Sequence, residues 1–82
     1  MNEENIIRKS VTETVSSFLQ LSGGEGVTNL YEMVIHEMEL GLFESTMKHS
    51  KGNQSIATST LTMSRATLRK KLQEYDLLYH GK

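Results

Sequence analysis

The 82-residue chain has no cysteine. That removes disulfide staples and any cysteine-bound zinc, and it fits a reducing cytoplasm. Long apolar runs are missing too. No segment approaches the roughly 18 apolar residues of a membrane span, and the opening MNEENIIRKS is too polar for a secretory signal. The expectation is a soluble, cytoplasmic protein with no membrane partner. Histidine is sparse: His36, His49 and His80 are scattered and no H-E-x-x-H pair occurs. Glu32 and Glu39 near His36 read as a solvated helix face rather than a metal site. Nucleophile–base arrangements, phosphate-binding glycine loops and paired carboxylates at usable spacing are all lacking, and the GGEG stretch at 23–26 has no strand–helix context. Neither enzymatic activity, nor a cofactor or metal, nor a small-molecule substrate is expected.

Acidic residues are absent from one long stretch, and this is the most informative gap. Residues 1–47 carry Arg8 and Lys9 against Glu3, Glu4, Glu13, Glu25, Glu32, Glu37, Glu39 and Glu44, a net −6. Residues 48–73 carry Lys48, Lys51, Arg65, Arg69, Lys70 and Lys71 with no acid at all, a net +6. The whole-chain value of −1 conceals this segregation and the local field it creates. The basic end is the candidate contact surface. The length bounds a single domain, 1–82, whose lone core is marginal without disulfide or metal. Oligomerisation is the remaining route to stability.

Residues 1–4 are polar and read as a frayed start. From about Asn5 to Leu21, Ile7, Val11, Val15 and Phe18 follow the helical period, with Ile6, Leu19 and Leu21 beside them. Ser22 to Gly26 is a glycine loop. Asn29 with Glu32 three residues on makes a capping-box pattern that opens a second helix, extending to about Ser50. Leu30, Val34, Met38 and Leu42 form one stripe of it, widened by Tyr31, Ile35, Phe43 and Met47. Gly41 inside it suggests a kink or a close backbone approach. So wide an apolar band exceeds what the rest of a small chain can cover. A second copy packed about a two-fold axis, through the helices of residues 5–50, is the expected solution. Val11, Val15, Leu30, Val34, Met38 and Leu42 are the expected dimer core.

Residues 53–76 read as a helix-turn-helix. Gly52 closes one helix and Asn53 caps the next, on which Ile56, Ala57 and Leu61 are placed on one face. Ser64 caps another, its hydroxyl placed to accept from the N–H of Ala66 or Thr67. Leu68, Leu72 and Tyr75 make the buried stripe of that helix. Arg65 and Arg69 share another face, flanked by Lys70 and Lys71. Helix, turn and capped basic helix is the outline of a unit whose second helix fits a DNA major groove. Two amphipathic helices with a solvated basic face also occur in proteins that never touch nucleic acid.

The pieces LYEMV (30–34), KGNQS (51–55) and SRATLRKKL (64–72) resemble the factor for inversion stimulation (Fis) family of bacterial nucleoid-associated DNA-binding proteins. The likeness runs without gaps from about Val27 to Tyr75, and IIRKSV at 6–11 extends it weakly. The same helix-turn-helix also ends many bacterial enhancer-binding activators; the long helix upstream and the small size favour a free-standing protein. The resemblance implies an all-α chain of four helices in an intertwined two-fold homodimer that bends double-stranded DNA, associates with the nucleoid and regulates transcription. Specificity would be largely indirect, read as deformation energy. Carried over by position, Arg65 would reach a base edge, plausibly a guanine. Ser64 would stand on the base-proximal surface, Arg69 would approach bases or adjacent phosphates, and Asn53, Ser55, Thr67, Lys70 and Lys71 would hold the backbone, with Gln54 beside them.

The chain departs from the family pattern at several places. Ser64 replaces a usual Asn, Thr58 a small Ala and Thr62 a turn Gly. Gln73 and Glu74 replace basic residues, and Gly41 a Pro. The lost charges should weaken contact with flanking DNA. The sequence also begins near the family's first helix, without the β-hairpin arm through which Fis activates invertases, so invertase contact is not expected. The alternative is a helical dimeric module that regulates a partner protein with weak or no DNA binding. Thr62, Ser64 and Glu74 sustain it; Arg65, Thr67, Arg69, Lys70 and Lys71 oppose it.

Overall fold

The computed structural model describes residues 2–21, 23 and 28–78. Its described residues form four helices and no strand: α1 (Glu3–Leu21), α2 (Leu30–His49), α3 (Gln54–Leu61) and α4 (Arg65–Glu74). They divide into two compact units, one ending at Leu30 and the other beginning at Tyr31.

The first unit holds α1, which starts two residues earlier than its apolar period suggests. Asn2 supplies the reason: its side-chain Oδ1 accepts from the Asn5 N–H at 2.8 Å, and Glu3 and Glu4 place negative charge in the first turn, where the helix dipole favours it. None of its residues is buried. Ile7, Val11 and Phe18 lie exposed on the stripe that the sequence assigns to packing.

In the second unit a small core forms where α2, α3 and α4 converge. Phe43, Ala57, Leu68 and Leu72 are almost wholly removed from water, ringed by Met47, Leu61, Met63, Tyr75, Leu77 and Leu78. Ala57 and Leu61 do face inward, but Ile56 remains half exposed. It precedes Ala57 by one residue and is therefore turned about 100° around the helix from it. The apolar band of α2 splits in the same manner. Phe43 and Met47 enter the core, whereas Met38 and Leu42 stay exposed. α2 is unbroken through Gly41, and a methyl group there would meet nothing within 4 Å among the described residues of the chain.

Left-handed residues, mostly without glycine, mark the helix ends. Lys51 has φ +56° after α2, followed by Gly52 at +80°, whose N–H donates to the Met47 carbonyl at 2.9 Å. This is the Schellman pattern, with Lys51 rather than Gly52 in its first left-handed position. Thr62 (φ +58°) and Asp76 (φ +58°) repeat it after α3 and α4. The next N–H groups, of Met63 and Leu77, reach back to Thr58 and Leu72 and bring both side chains onto the core. Asn29 is also left-handed, at +59°, and so lacks the extended backbone of an N-cap; the capping box expected with Glu32 does not form.

Asp tolerates this region, but a β-branched residue is strained there. Thr62→Gly is therefore expected to raise stability by about 1 kcal/mol, the relieved strain being partly offset by the freer unfolded chain. Thermal unfolding checks this: a midpoint at or below that of the parent would contradict it.

Candidate nucleic-acid interface

α3 and α4 are joined by a turn of three residues, Thr62, Met63 and Ser64. Both helices start with a side-chain cap. Asn53, with extended backbone, accepts from the Ile56 N–H at 3.0 Å. Ser64 accepts from the Thr67 N–H at 3.1 Å, and its own hydroxyl donates to Thr67 Oγ1 at 3.0 Å. Ser64 thus performs the capping role that its position requires, and it fixes the Thr67 hydroxyl beside it.

Leu68 and Leu72 point into the core, which turns Arg69 and Lys70 outward. Arg65, Thr67, Arg69 and Lys70 are exposed on α4. Arg65 does not hang free. Its Nε donates to Gln54 Oε1 at 3.4 Å and its Nη1 donates to Ser55 Oγ at 3.3 Å. The first turn of α3 therefore props the first residue of α4, across a sequence separation of ten and eleven residues. The two acceptors are neutral and the bonds long, so guanidinium donors remain available to a stronger acceptor. Among the described residues, no carboxylate lies within salt-bridge distance of Arg65, Arg69 or Lys70. Asn53, Gln54, Ser55, Ser64, Arg65 and Thr67 are thus brought together, and Arg69 and Lys70 continue the exposed side of α4.

Lys71 departs from that group. Its ammonium donates to Glu39 Oε1 on α2 at 3.1 Å and lies 3.9 Å from Glu74 Oε1. The same Glu39 oxygen accepts from the Tyr75 hydroxyl at 2.5 Å. Tyr75 also sits 5.2 Å from the His36 ring and 6.2 Å from the Phe43 ring, measured between centroids. His36, Glu39 and Phe43 follow the helical period along α2, so one face of that helix grips the end of α4. The bonds from Tyr75 and then Lys71 hold the Glu39 carboxyl below its ordinary value. The bond to Glu39 raises the Lys71 ammonium, and the Tyr75 phenol is pushed up to about 12 by the same carboxylate. All three shifts favour the charge state that maintains the cluster at neutral pH. Charge and spacing did not identify Glu39 or its link to Tyr75, because the contacts span 32 and 36 residues; only the three-four periodicity of 36, 39 and 43 hinted at a shared face.

An exposed surface with two arginines, a lysine and a row of hydroxyl and amide groups can bind a polyanion and can grip planar acceptors bidentately. Among the described residues, no three His, Asp or Glu side chains are grouped to hold a metal, and no helix is long and apolar enough to cross a membrane.

Comparison with known proteins places this arrangement. Residues 35–75 match the family model described as bacterial regulatory protein, Fis family. A putative Fis-like DNA-binding protein of Pseudomonas aeruginosa is 43% identical over 76 residues, covering 93% of this chain and 73% of the relative. One from Xylella fastidiosa is 46% identical over 72 residues, covering 88% and 80%. The DNA-binding protein Fis of Glaesserella parasuis is 38% identical over 71 residues, covering 87% and 72%. With the helix-turn-helix built as described, and with relatives matched over most of their length, the chain belongs to the Fis family of bacterial regulatory proteins.

Proposed function

We propose that the chain is a homodimeric DNA-binding and DNA-bending regulator of transcription, acting at the nucleoid, with α4 as the recognition helix in the major groove. The observation that carries the proposal is the propped Arg65 guanidinium beside an Arg69 and a Lys70 that lack carboxylate partners among the described residues. Arg65 is assigned to a base edge. Arg69, Lys70, Asn53, Ser55 and Thr67 are assigned to the backbone and its neighbourhood, with Gln54 and Ser64 shaping the surface. The names of the relatives support the same ligand.

Burial supports the dimer. Of its proposed core residues, Val11, Met38 and Leu42 are exposed within the single chain, and Val15, Leu30 and Val34 are only partly covered. Covering a Leu, Val or Met side chain contributes about 1.5–3 kcal/mol, so six per chain suffice to drive association. Residues 5–50 would then serve as the dimerisation core and 53–76 as the DNA-contacting part. The Fis resemblance implies two recognition helices set closer than one DNA turn; such a pair would reach successive major grooves only on a bent duplex, which would make readout largely indirect. A duplex of about 25–30 bp labelled at both ends for energy transfer tests this. Its ends should approach when two chains bind, and an unchanged end-to-end distance in the bound complex would contradict bending.

A further inference from the structure

We propose that Glu39 tunes the charge of the DNA-contacting surface: it withdraws the Lys71 ammonium from the basic run of α4, so cationic contact falls to Arg65, Arg69 and Lys70. This rests on the DNA-binding reading and deepens it, because it assigns a role to an acid outside the helix-turn-helix. Residues 48–73 carry a nominal +6, four of those charges on α4 (Arg65, Arg69, Lys70 and Lys71), and Glu39 reaches one of the four from 32 residues away and cancels it. The pair is better sheltered than an ordinary surface pair, with side chains 31% (Lys71) and 22% (Glu39) exposed. The Glu39 oxygen bonded to Lys71 also holds the Tyr75 hydroxyl, and Glu74 stands on the other side of the ammonium.

To reach a phosphate, Lys71 would have to leave both carboxylates and strand Glu39, uncompensated, beside a polyanion. That cost opposes the exchange. A lysine already neutralised within the protein also displaces no counterion from DNA, so it does not contribute to the salt dependence of binding. Glu39 thus acts on the interface through Lys71 and Tyr75, as a positioning residue that sets both the charge and the anchoring of α4.

The test is the slope of log affinity against log salt for a duplex. Lys70→Ala should make it shallower by about one unit per recognition helix. Glu39→Gln should make it steeper by about one unit per recognition helix, because Lys71 is released. Glu39→Gln combined with Lys71→Met, which removes both charges of the pair, should restore the parent slope. A double variant as shallow as Lys70→Ala, or a folded Glu39→Gln protein with the parent slope, would overturn the proposal. A measurement on the unaltered protein decides the matter should Glu39→Gln fail to fold. Acylation of lysines read by mass spectrometry should show Lys70 protected by the duplex and Lys71 equally unreactive with and without it; protection of Lys71 on adding DNA would overturn the proposal. Absence of salt-dependent duplex binding by the parent protein would instead remove the DNA-binding reading, and this inference with it.

Discussion

Replacing Arg65 with alanine is expected to cost about 1–3 kcal/mol of duplex affinity and to flatten the preference between sequences. The side chain lies at the first position of α4, where its guanidinium is held by Gln54 and Ser55 rather than by a carboxylate. Such a prop limits rotamer freedom before binding, so less entropy would be lost on meeting the guanine acceptors proposed as its target. Lys70→Ala, by contrast, removes a point charge and should weaken all sequences alike. Competition binding with preferred and random duplexes separates the two. Equal losses on both duplexes for both variants would refute the division between base-reading and backbone-holding residues. Gln54 and Ser55 should matter in proportion to how well they orient Arg65, not through charge of their own.

Leu68→Ala should have the largest effect on folding. Leu68 is fully buried among Phe43, Ala57 and Leu72, which complete the buried core. Truncating such a leucine costs about 2–5 kcal/mol, a transfer loss plus the cavity left behind. So few buried residues cannot absorb a loss of that size, and the helix-turn-helix should lose its cooperative transition in urea. Ile56→Ala serves as the control, because its side chain is half exposed. A change below about 1 kcal/mol for Leu68→Ala would contradict the assignment of the core to this cluster.

The helix-turn-helix was legible in the sequence because its signals are local. Asn53 and Ser64 cap at a separation of three residues, and Leu68 and Leu72 repeat at four. The split of the α2 band was half legible. Periodicity showed a surplus of apolar residues, but it could not say that Phe43 turns toward α4 while Met38 and Leu42 remain open. Left-handed backbone at Lys51 and Asp76 has no marker in the sequence because glycine is the usual one, and Thr62 is marked only by the turn Gly of the family pattern; here the Schellman hydrogen bonds impose the conformation on other residues. The same limit applies to Asn29, whose composition fits a cap and whose backbone does not. Lys71 shows a different limit. One residue on from Lys70, it is turned about 100° from it toward the side of Leu68 and Tyr75, and the packing of α4 against α2 brings Glu39 within 3.1 Å of it. A charge run in a sequence therefore overstates the charge that the folded surface presents.

The most direct test of DNA recognition by α3 and α4 is fluorescence anisotropy of duplex binding across a range of salt concentrations. One duplex of about 25–30 bp should carry an A·T-rich centre and its control a G·C-rich one. Tight binding that falls steeply with salt and favours the A·T-rich centre is the expected result. Failure to bind either duplex at low salt would contradict it, and would leave the open apolar faces of α1 and α2 as the functional surface, facing a protein partner instead.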